Sequence, residues 1–275
     1  MTRILLTLSL GLSVGFLAAT PDPVAPDPAT PRPIDAVDTV FIADMTWMEV
    51  RDRMQAGADT VIIATGGIEQ NGPYLVANKH GVVLRAMTQS IARTLGNALV
   101  APIVDFVPEG DIQPPSVHMK YPSTVSVREE TYRALLTDIV GSYKTHGFRH
   151  IVLIGDSGGN QDGLQAVAAA QNESDKDGPR VSYVPEYYNY GDVAKFLTSQ
   201  GIEQKPEGLH DDFGITAIMS TVDPLSIRAD QRRKAGKFRI NGISLAPLKN
   251  TQKWGRAIIK FRTDATVAAI RSAGG

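Results

Sequence analysis

Short apolar runs and amphipathic stretches alternate along this chain. Four apolar runs are typical of buried strands, and they cover residues 60–64, 99–104, 151–154 and 181–184. Helical spacing of apolar residues predicts helices over 41–57, 82–95, 128–145, 161–171, 192–200, 213–222 and 253–272. Segment 223–245 shows no regular pattern. Alternation of this kind predicts an α/β fold, a layered α/β/α arrangement with a mostly parallel central sheet.

The first part of the chain has a different character from the rest. Arg3 precedes an apolar run over residues 4–19 that ends in small residues, which is typical of a secretory signal peptide over 1–20. Six prolines then fall within residues 21–33, so 21–37 is predicted to be a stiff linker. We expect a single folded domain over 38–275 in a periplasmic or secreted protein, with no stable membrane association after cleavage. A retained membrane anchor is the alternative.

Composition narrows the possible chemistry. The formal net charge of the 275 residues is -1, which argues against a nucleic-acid partner. The chain has no cysteine, so disulfides, thiol catalysis and thiolate metal sites are excluded. Any metal site must therefore be built from histidine, aspartate, glutamate and neutral oxygen ligands.

Polar side chains follow the predicted strands. The loop after the first strand carries Glu69, Asn71 and His80, and His118 lies in a long loop after the second. Since loops at the carboxyl ends of parallel strands meet at one sheet edge, we expect these side chains to converge on a site for a small-molecule substrate. Later loops add further candidates to this edge, namely Asp156, Ser157, Tyr187 and His210.

The third strand opens into the glycine-rich turn Gly155-Asp156-Ser157-Gly158-Gly159-Asn160. Such a turn can direct backbone N–H groups at an anion or a developing oxyanion, although a tight connection that needs glycine only for packing is the alternative. The turn lacks the features of phosphate-binding and dinucleotide loops, so no nucleotide cofactor is expected. It matches the Gly-x-Ser-x-Gly nucleophile pattern, which makes Ser157 with His210 a candidate catalytic pair.

Several motifs occur in the order seen in a known family. Glu69-Gln70-Asn71-Gly72-Pro73-Tyr74-Leu75 resembles the E-Q-H-G-P-H-L signature of the creatininase (creatinine amidohydrolase) family. The segments after His118, around Gly158-Gly159-Asn160, and from His210 to Met219 resemble later motifs of that family. The resemblance covers about residues 44–224. It implies a layered α/β fold, a homo-oligomer, and hydrolysis of C–N bonds at a two-metal centre.

The chain departs from that family at the metal-ligand positions. The resemblance keeps Glu69, but it places Asn71, His80, Ser157 and Ile215 where the family has other ligands. We therefore predict one divalent ion, zinc or manganese, held by Glu69, His80 and Asp156. His210 matches the family's catalytic histidine and is predicted to donate a proton to the leaving nitrogen.

The remaining candidate residues are predicted to bind substrate, and they are His118, Asn71, Gly158, Gly159, Asn160 and Tyr187. The first interpretation is thus a metal-dependent hydrolase acting on an amide, a lactam or a related cyclic bond. Two alternatives stay open at this point. One is a metal-free serine hydrolase that uses Ser157 and His210, and the other is a non-catalytic binding protein on the same fold.

Overall fold

The structure is a computed structural model and describes residues 27–203, 205 and 210–274. The chain divides into two units, Met1–Asp35 and Ala36–Gly275, and every helix and strand given below belongs to the second unit. The predicted signal peptide lies outside the described residues and stays a prediction. No helix within the described residues combines the length and the hydropathy that crossing a membrane requires.

The core of the fold is a four-stranded parallel sheet. Its strands are β1 (Thr60–Thr65), β2 (Ala98–Val100), β3 (His150–Gly155) and β4 (Arg180–Tyr183), in the order β2-β1-β3-β4. In β1 every residue is buried, and it pairs with β3 along its whole length. A two-stranded antiparallel pair, β5 (Arg239–Ile240) and β6 (Ile243–Ser244), lies apart from this sheet.

Eight α-helices in the described part of the chain surround these strands. They are α1 (Trp47–Gln55), α2 (Lys79–Leu95), α3 (Glu129–Thr145), α4 (Gln161–Ser174), α5 (Tyr190–Ser199), α6 (Phe213–Val222), α7 (Ala229–Lys234) and α8 (Leu248–Ser272). Short 3-10 turns connect several of them, including Val117–Lys120 and Gly158–Asn160.

The sheet separates two hydrophobic cores. Because successive strand residues point to opposite faces, Ile62 and Ile154 join one core while Ile63 and Leu153 join the other. Helices α2, α6 and α8 cover the first face, and α1, α3 and α4 cover the second. The predicted layered α/β/α fold with a parallel central sheet is therefore confirmed.

The structure differs from the sequence-based expectations mainly at element boundaries. The second strand has three residues rather than the predicted six. After it ends, the following segment pairs with β1 only through an isolated bridge between Thr65 and Val104. Helix α2 begins three residues earlier than predicted, because the Asn78 side chain accepts a hydrogen bond from the N–H of Gly81 and caps it. The segment without a regular pattern contains α7, β5 and β6.

The carboxyl ends of β1 and β3 position the candidate site. The N–H of Asp156 donates to the carbonyl of Thr65, so the loops that leave the two strands start side by side. The Asn160 side-chain amide donates to Thr65 Oγ1 at 2.8 Å and to the carbonyl of Gly66 at 2.9 Å. These bonds tie the glycine-rich turn to the loop that carries Glu69.

Candidate active site

Glu69 lies at the centre of a cluster of nitrogen atoms. Its Oε1 is 2.8 Å from His80 Nε2, 3.0 Å from Lys79 Nζ and 3.0 Å from His210 Nδ1, while Oε2 is 3.1 Å from His118 Nε2. Burial by itself raises the pKa of Glu69, but the hydrogen bonds from His210 and His80 and the charge of Lys79 outweigh it and hold this pKa well below its ordinary value. The carboxylate is therefore ionised.

The His80 ring stands between two carboxylates. Its Nε2 contacts Glu69, and its Nδ1 lies 2.9 Å from Asp156 Oδ2. Burial and Lys79 lower the pKa of His80, but the hydrogen bonds to Asp156 and Glu69 prevail and raise it. Both ring nitrogens face acceptors, so each donates a proton and the ring is an imidazolium.

Asp156 is fully buried and well compensated. Its Oδ1 accepts hydrogen bonds from the hydroxyls of Tyr187 at 3.1 Å and Tyr190 at 2.9 Å, and from Arg262 at 3.2 Å. Burial raises the pKa of Asp156, but the His80 hydrogen bond and the Arg262 charge dominate and lower it to about 2. Asp156 thus holds His80 in a fixed orientation from the side away from Glu69.

This arrangement does not bring the three predicted metal ligands around one point. Glu69 and Asp156 contact different nitrogens of the His80 ring, so the ring separates the two carboxylates. A carboxylate behind a histidine in this way fits the role of orienting a ligand rather than binding the ion itself.

Two other groups of side chains could hold an ion among the described residues. One consists of Glu69, His118 and His210, and the other of Glu69, His80 and Glu109; within each group one ligand atom per residue lies within 4.8 Å of the others. The rings of His118 and His210 stack with their centroids 5.2 Å apart. Burial is the main cause that lowers the pKa of His118, which favours the neutral imidazole that metals bind.

Asn71 orients His210. The Asn71 side-chain N–H group donates to the backbone carbonyls of Glu69 at 2.9 Å and Val76 at 3.1 Å, so its Oδ1 faces His210 Nδ1 at 3.0 Å. Asn71 Oδ1 and Glu69 Oε1 can both accept a hydrogen bond from this nitrogen, so the tautomer with the proton on Nδ1 satisfies both of them and leaves Nε2 unprotonated. Asn71 was predicted to bind substrate, but here it positions a histidine.

Glu109 is a second buried carboxyl group beside Glu69. Burial is the largest cause that raises its pKa, the negative charge of Glu69 adds to it, and the value reaches about 8. Its Oε1 has no hydrogen-bond partner in the described part of the chain. Glu109 therefore keeps its proton at neutral pH, and its side chain forms a hydrogen bond with Glu69.

A pocket of about 520 Å³ opens over this cluster. Glu69, Lys79, His80, Glu109, His118 and His210 line it together with Ser157, Gly158, Gly159 and Tyr188. A Cβ added at Gly159 would lie 2.7 Å from the carbonyl oxygen of Pro108, so glycine is required where the turn meets the long loop. The 520 Å³ volume suits a small molecule.

Three residues that were predicted to bind substrate or to form a catalytic pair have other contacts in the structure. Asn160 is buried and uses its amide to tie the turn to β1. Tyr187 is buried behind Asp156, whereas Tyr188 and Tyr190 reach the pocket. Ser157 lines the pocket, but its hydroxyl makes no hydrogen bond to His210 in the ranges that the structure describes.

Sequence reasoning missed Lys79, Glu109 and Arg262. Lysine, arginine and glutamate usually lie on the surface, so no signal set these three apart from other charged residues. Lys79 directly precedes His80 in the sequence and is the first residue of α2. It would have been predicted as a site residue if the helix had been predicted to begin there. Arg262 lies on α8, far along the chain from any of the motifs.

Comparisons with known proteins fit this geometry. A family model described as Creatininase: Creatinine amidohydrolase matches residues 43–270. A creatinine amidohydrolase of Pseudomonas putida is 28% identical over 116 residues, which are 42% of this chain and 44% of that protein. A 3-dehydro-scyllo-inosose hydrolase of Thermotoga maritima is 25% identical over 119 residues, 43% of this chain and 36% of that protein. Each match thus spans less than half of the relative.

Solved structures share the fold. A creatinine amidohydrolase (creatininase) structure superposes with a TM-score of 0.60 at 19% identity and covers 85% of this chain and 97% of that one. A structure described as Creatininase Mn gives a TM-score of 0.62 at 19% identity, covering 86% and 98%. Another of the same identity is described as a mutant creatininase of Zn-Zn type. Because the family model matches residues 43–270, most of the 275 residues, this chain belongs to the creatininase family.

Proposed function

We propose that this protein is a hydrolase that cleaves a C–N bond in a small amide or lactam. One divalent ion, zinc or manganese, would be held by Glu69, His118 and His210. The observation that carries this proposal is the approach of two stacked imidazoles to the two oxygens of one buried carboxylate, at the surface of the pocket. Two histidines and a glutamate form a ligand set used by catalytic zinc sites, which keep a further position open.

The names of the relatives support the class of reaction. One relative is an amidohydrolase and the other is a hydrolase, and structures of creatininase are described with Mn or with Zn-Zn. A bound ion would polarise a substrate carbonyl and lower the pKa of a bound water to about 7. The ligand nitrogens of His118 and His210 must lose their protons to bind it, which the lowered pKa of His118 favours.

The other residues of the site have separate tasks in this proposal. Lys79 and His80 hold the Glu69 carboxylate in place through its Oε1. Glu109 keeps a proton because its pKa is raised to about 8, and it borders the pocket, so it can protonate the leaving nitrogen. That assigns to Glu109 the proton transfer that the sequence alone suggested for His210.

The experiment measures metal content and hydrolysis together. Purified protein is analysed for zinc and manganese by mass spectrometry and assayed on a panel of cyclic and linear amides, before and after chelation. We expect Glu69→Gln to lose both the ion and the activity. Glu130→Gln, which changes an exposed glutamate on α3, is the matched control and should keep both. Full activity in metal-free protein would exclude the ion from the reaction.

A metal-free hydrolase is the second candidate, because Asn71 and Glu69 fix His210 through Nδ1 and leave Nε2 for a nucleophile or a leaving group. If Ser157 is the nucleophile, Ser157→Ala should lose activity and the wild type should be labelled covalently at this residue. Lost activity without covalent labelling of the wild type would contradict a serine nucleophile. The third reading, a binding protein, requires that Glu69→Gln still binds small molecules as the wild type does.

A further inference from the structure

Lys79 is a buried cation in an unfavourable position. It is the first residue of α2, and 2% of its surface is exposed. A helix N-terminus carries a partial positive charge, so an ammonium group there is destabilised by the helix as well as by burial. A lysine in such a place requires a specific compensating partner.

The compensation comes from the carboxylate at the centre of the site. Lys79 Nζ lies 3.0 Å from Glu69 Oε1, with both side chains 2% exposed. The charge of this ammonium also acts on His80, Glu109 and His118. Lys79 thus places a cation against Glu69, which belongs both to the group with His118 and His210 and to the second group, with His80 and Glu109.

A divalent ion at that second group would lie close to the positive charge of the Lys79 ammonium and would be repelled by it. His80 is committed as well, because both of its nitrogens already lie against carboxylate oxygens at 2.8 Å and 2.9 Å. The other group, Glu69 with His118 and His210, lies on the pocket side, where the two histidines are only partly buried. Both groups share Glu69, but Lys79 and His80 contact its Oε1, whereas His118 contacts its Oε2.

We propose that the ammonium of Lys79 takes the place of a second metal ion, so that the group of Glu69, His80 and Glu109 binds no ion while Lys79 is present. Its catalytic use rests on the hydrolase function proposed above. Lys79 lines the pocket, and an ammonium can donate hydrogen bonds to a developing oxyanion. Unlike a metal ion, it cannot supply a hydroxide.

Metal stoichiometry tests this inference without reference to activity. Wild type, Lys79→Met and Lys79→Gln are loaded with zinc or manganese, separated from free metal, and analysed for ions per chain. Lys79→Gln is included because its amide can still donate to Glu69 if the methionine variant fails to fold. Lys144→Met is the matched control, since it removes a largely buried lysine that pairs with Asp175 and does not line the pocket.

We expect the wild type and Lys144→Met to bind one ion per chain, and the neutral Lys79 variants to bind two. A wild type that binds two ions overturns the inference, and so do folded Lys79 variants that bind no more than the wild type. The proposed function fails separately: if the wild type binds no ion and the Lys79 variants gain one, the inference stands and the single-ion hydrolase does not.

Discussion

Asp156 lies on the side of His80 away from Glu69 and fixes the orientation of that ring. Its two oxygens face His80 on one side and Arg262 with two tyrosine hydroxyls on the other. A carboxylate without exposed surface can remain charged only because these partners replace water. Its contribution to folding should therefore depend on pH in a predictable direction.

We expect Asp156→Asn to lower the free energy of unfolding by about 3–5 kcal/mol at pH 7, because Arg262 and His80 would lose their buried counter-charge. The folded-state pKa of Asp156, about 2, lies below its ordinary value of 3.8, so its stabilisation is present above the higher value and is lost as pH falls through the lower one. The penalty of the mutation should thus shrink from about pH 4 to about pH 2.

Urea denaturation of metal-free protein at several pH values measures this effect. Asp264→Asn is the control, since it breaks an exposed pair with Lys260 and should cost less than about 1 kcal/mol. A penalty that stays constant from neutral to acidic pH would show that the charge of Asp156 is not what stabilises the fold.

Asn160 provides a second test at this scale. Asn160→Ala removes the two hydrogen bonds to Thr65 Oγ1 and to the Gly66 carbonyl, and we expect a loss of about 1–3 kcal/mol in unfolding free energy. Thermal and urea unfolding measure it, and Asn250→Ala, at an exposed position on α8, is the control. An unchanged stability with weakened substrate binding would instead restore the predicted contact with substrate.

The residues of the site were predictable where a motif marked them and not elsewhere. Glu69, His80, His118 and His210 were expected to converge, and they do. Which nitrogen of His80 faces which carboxylate depends on side-chain rotation, which a sequence does not contain. Lys79 and Glu109 were missed because their burial follows from tertiary packing and not from local pattern.

At the scale of elements, the start of α2 decides the shape of the site. The cap at Asn78 places Lys79 and His80 in the first turn of the helix, where both side chains reach Glu69. The sequence predicted this helix from its apolar stripe, which begins only at Val82. The apolar stripe indicates only which residues pack against the core. The first turn of the helix is polar and faces the site, so the stripe does not predict it.

We expect Asn78→Ala to destabilise the protein by about 1 kcal/mol, which is typical for a lost N-cap, and also to weaken metal binding. Thr46→Ala removes the capping box of α1, which lies away from the pocket, and should cost a similar amount of stability without changing metal affinity. Chemical denaturation and metal titration of the two variants make the comparison. Equal metal affinities in both variants would contradict a role for the cap in the site.

At the scale of the whole molecule, the site draws on distant parts of the chain. Glu69, His118, Asp156, His210 and Arg262 come from separate loops and helices, and the sheet brings them together. Alternation of strands and helices was enough to predict this sheet. The strand order and the part played by α8 were not predictable, because no local pattern encodes them.

The predicted signal peptide over residues 1–20 can be tested by export. Fused to a reporter that is active only outside the cytoplasm, residues 1–37 should direct its secretion, because a basic start and an apolar run are what the export machinery recognises. Replacing Leu8 and Leu10 with arginine should abolish the signal. Export without shortening of the chain would favour a retained anchor, and the mass of the mature protein distinguishes the two.

The expected homo-oligomer is measurable by light scattering.

One carboxylate shared among three imidazoles and an ammonium has a consequence for how the site can change over time. Substitutions of Lys79, His80, His118 or His210 will not add, because each donor that is lost alters the proton affinity of those that remain. A new ligand pattern is therefore reached most easily by paired replacements, in which the second change repairs the charge balance disturbed by the first.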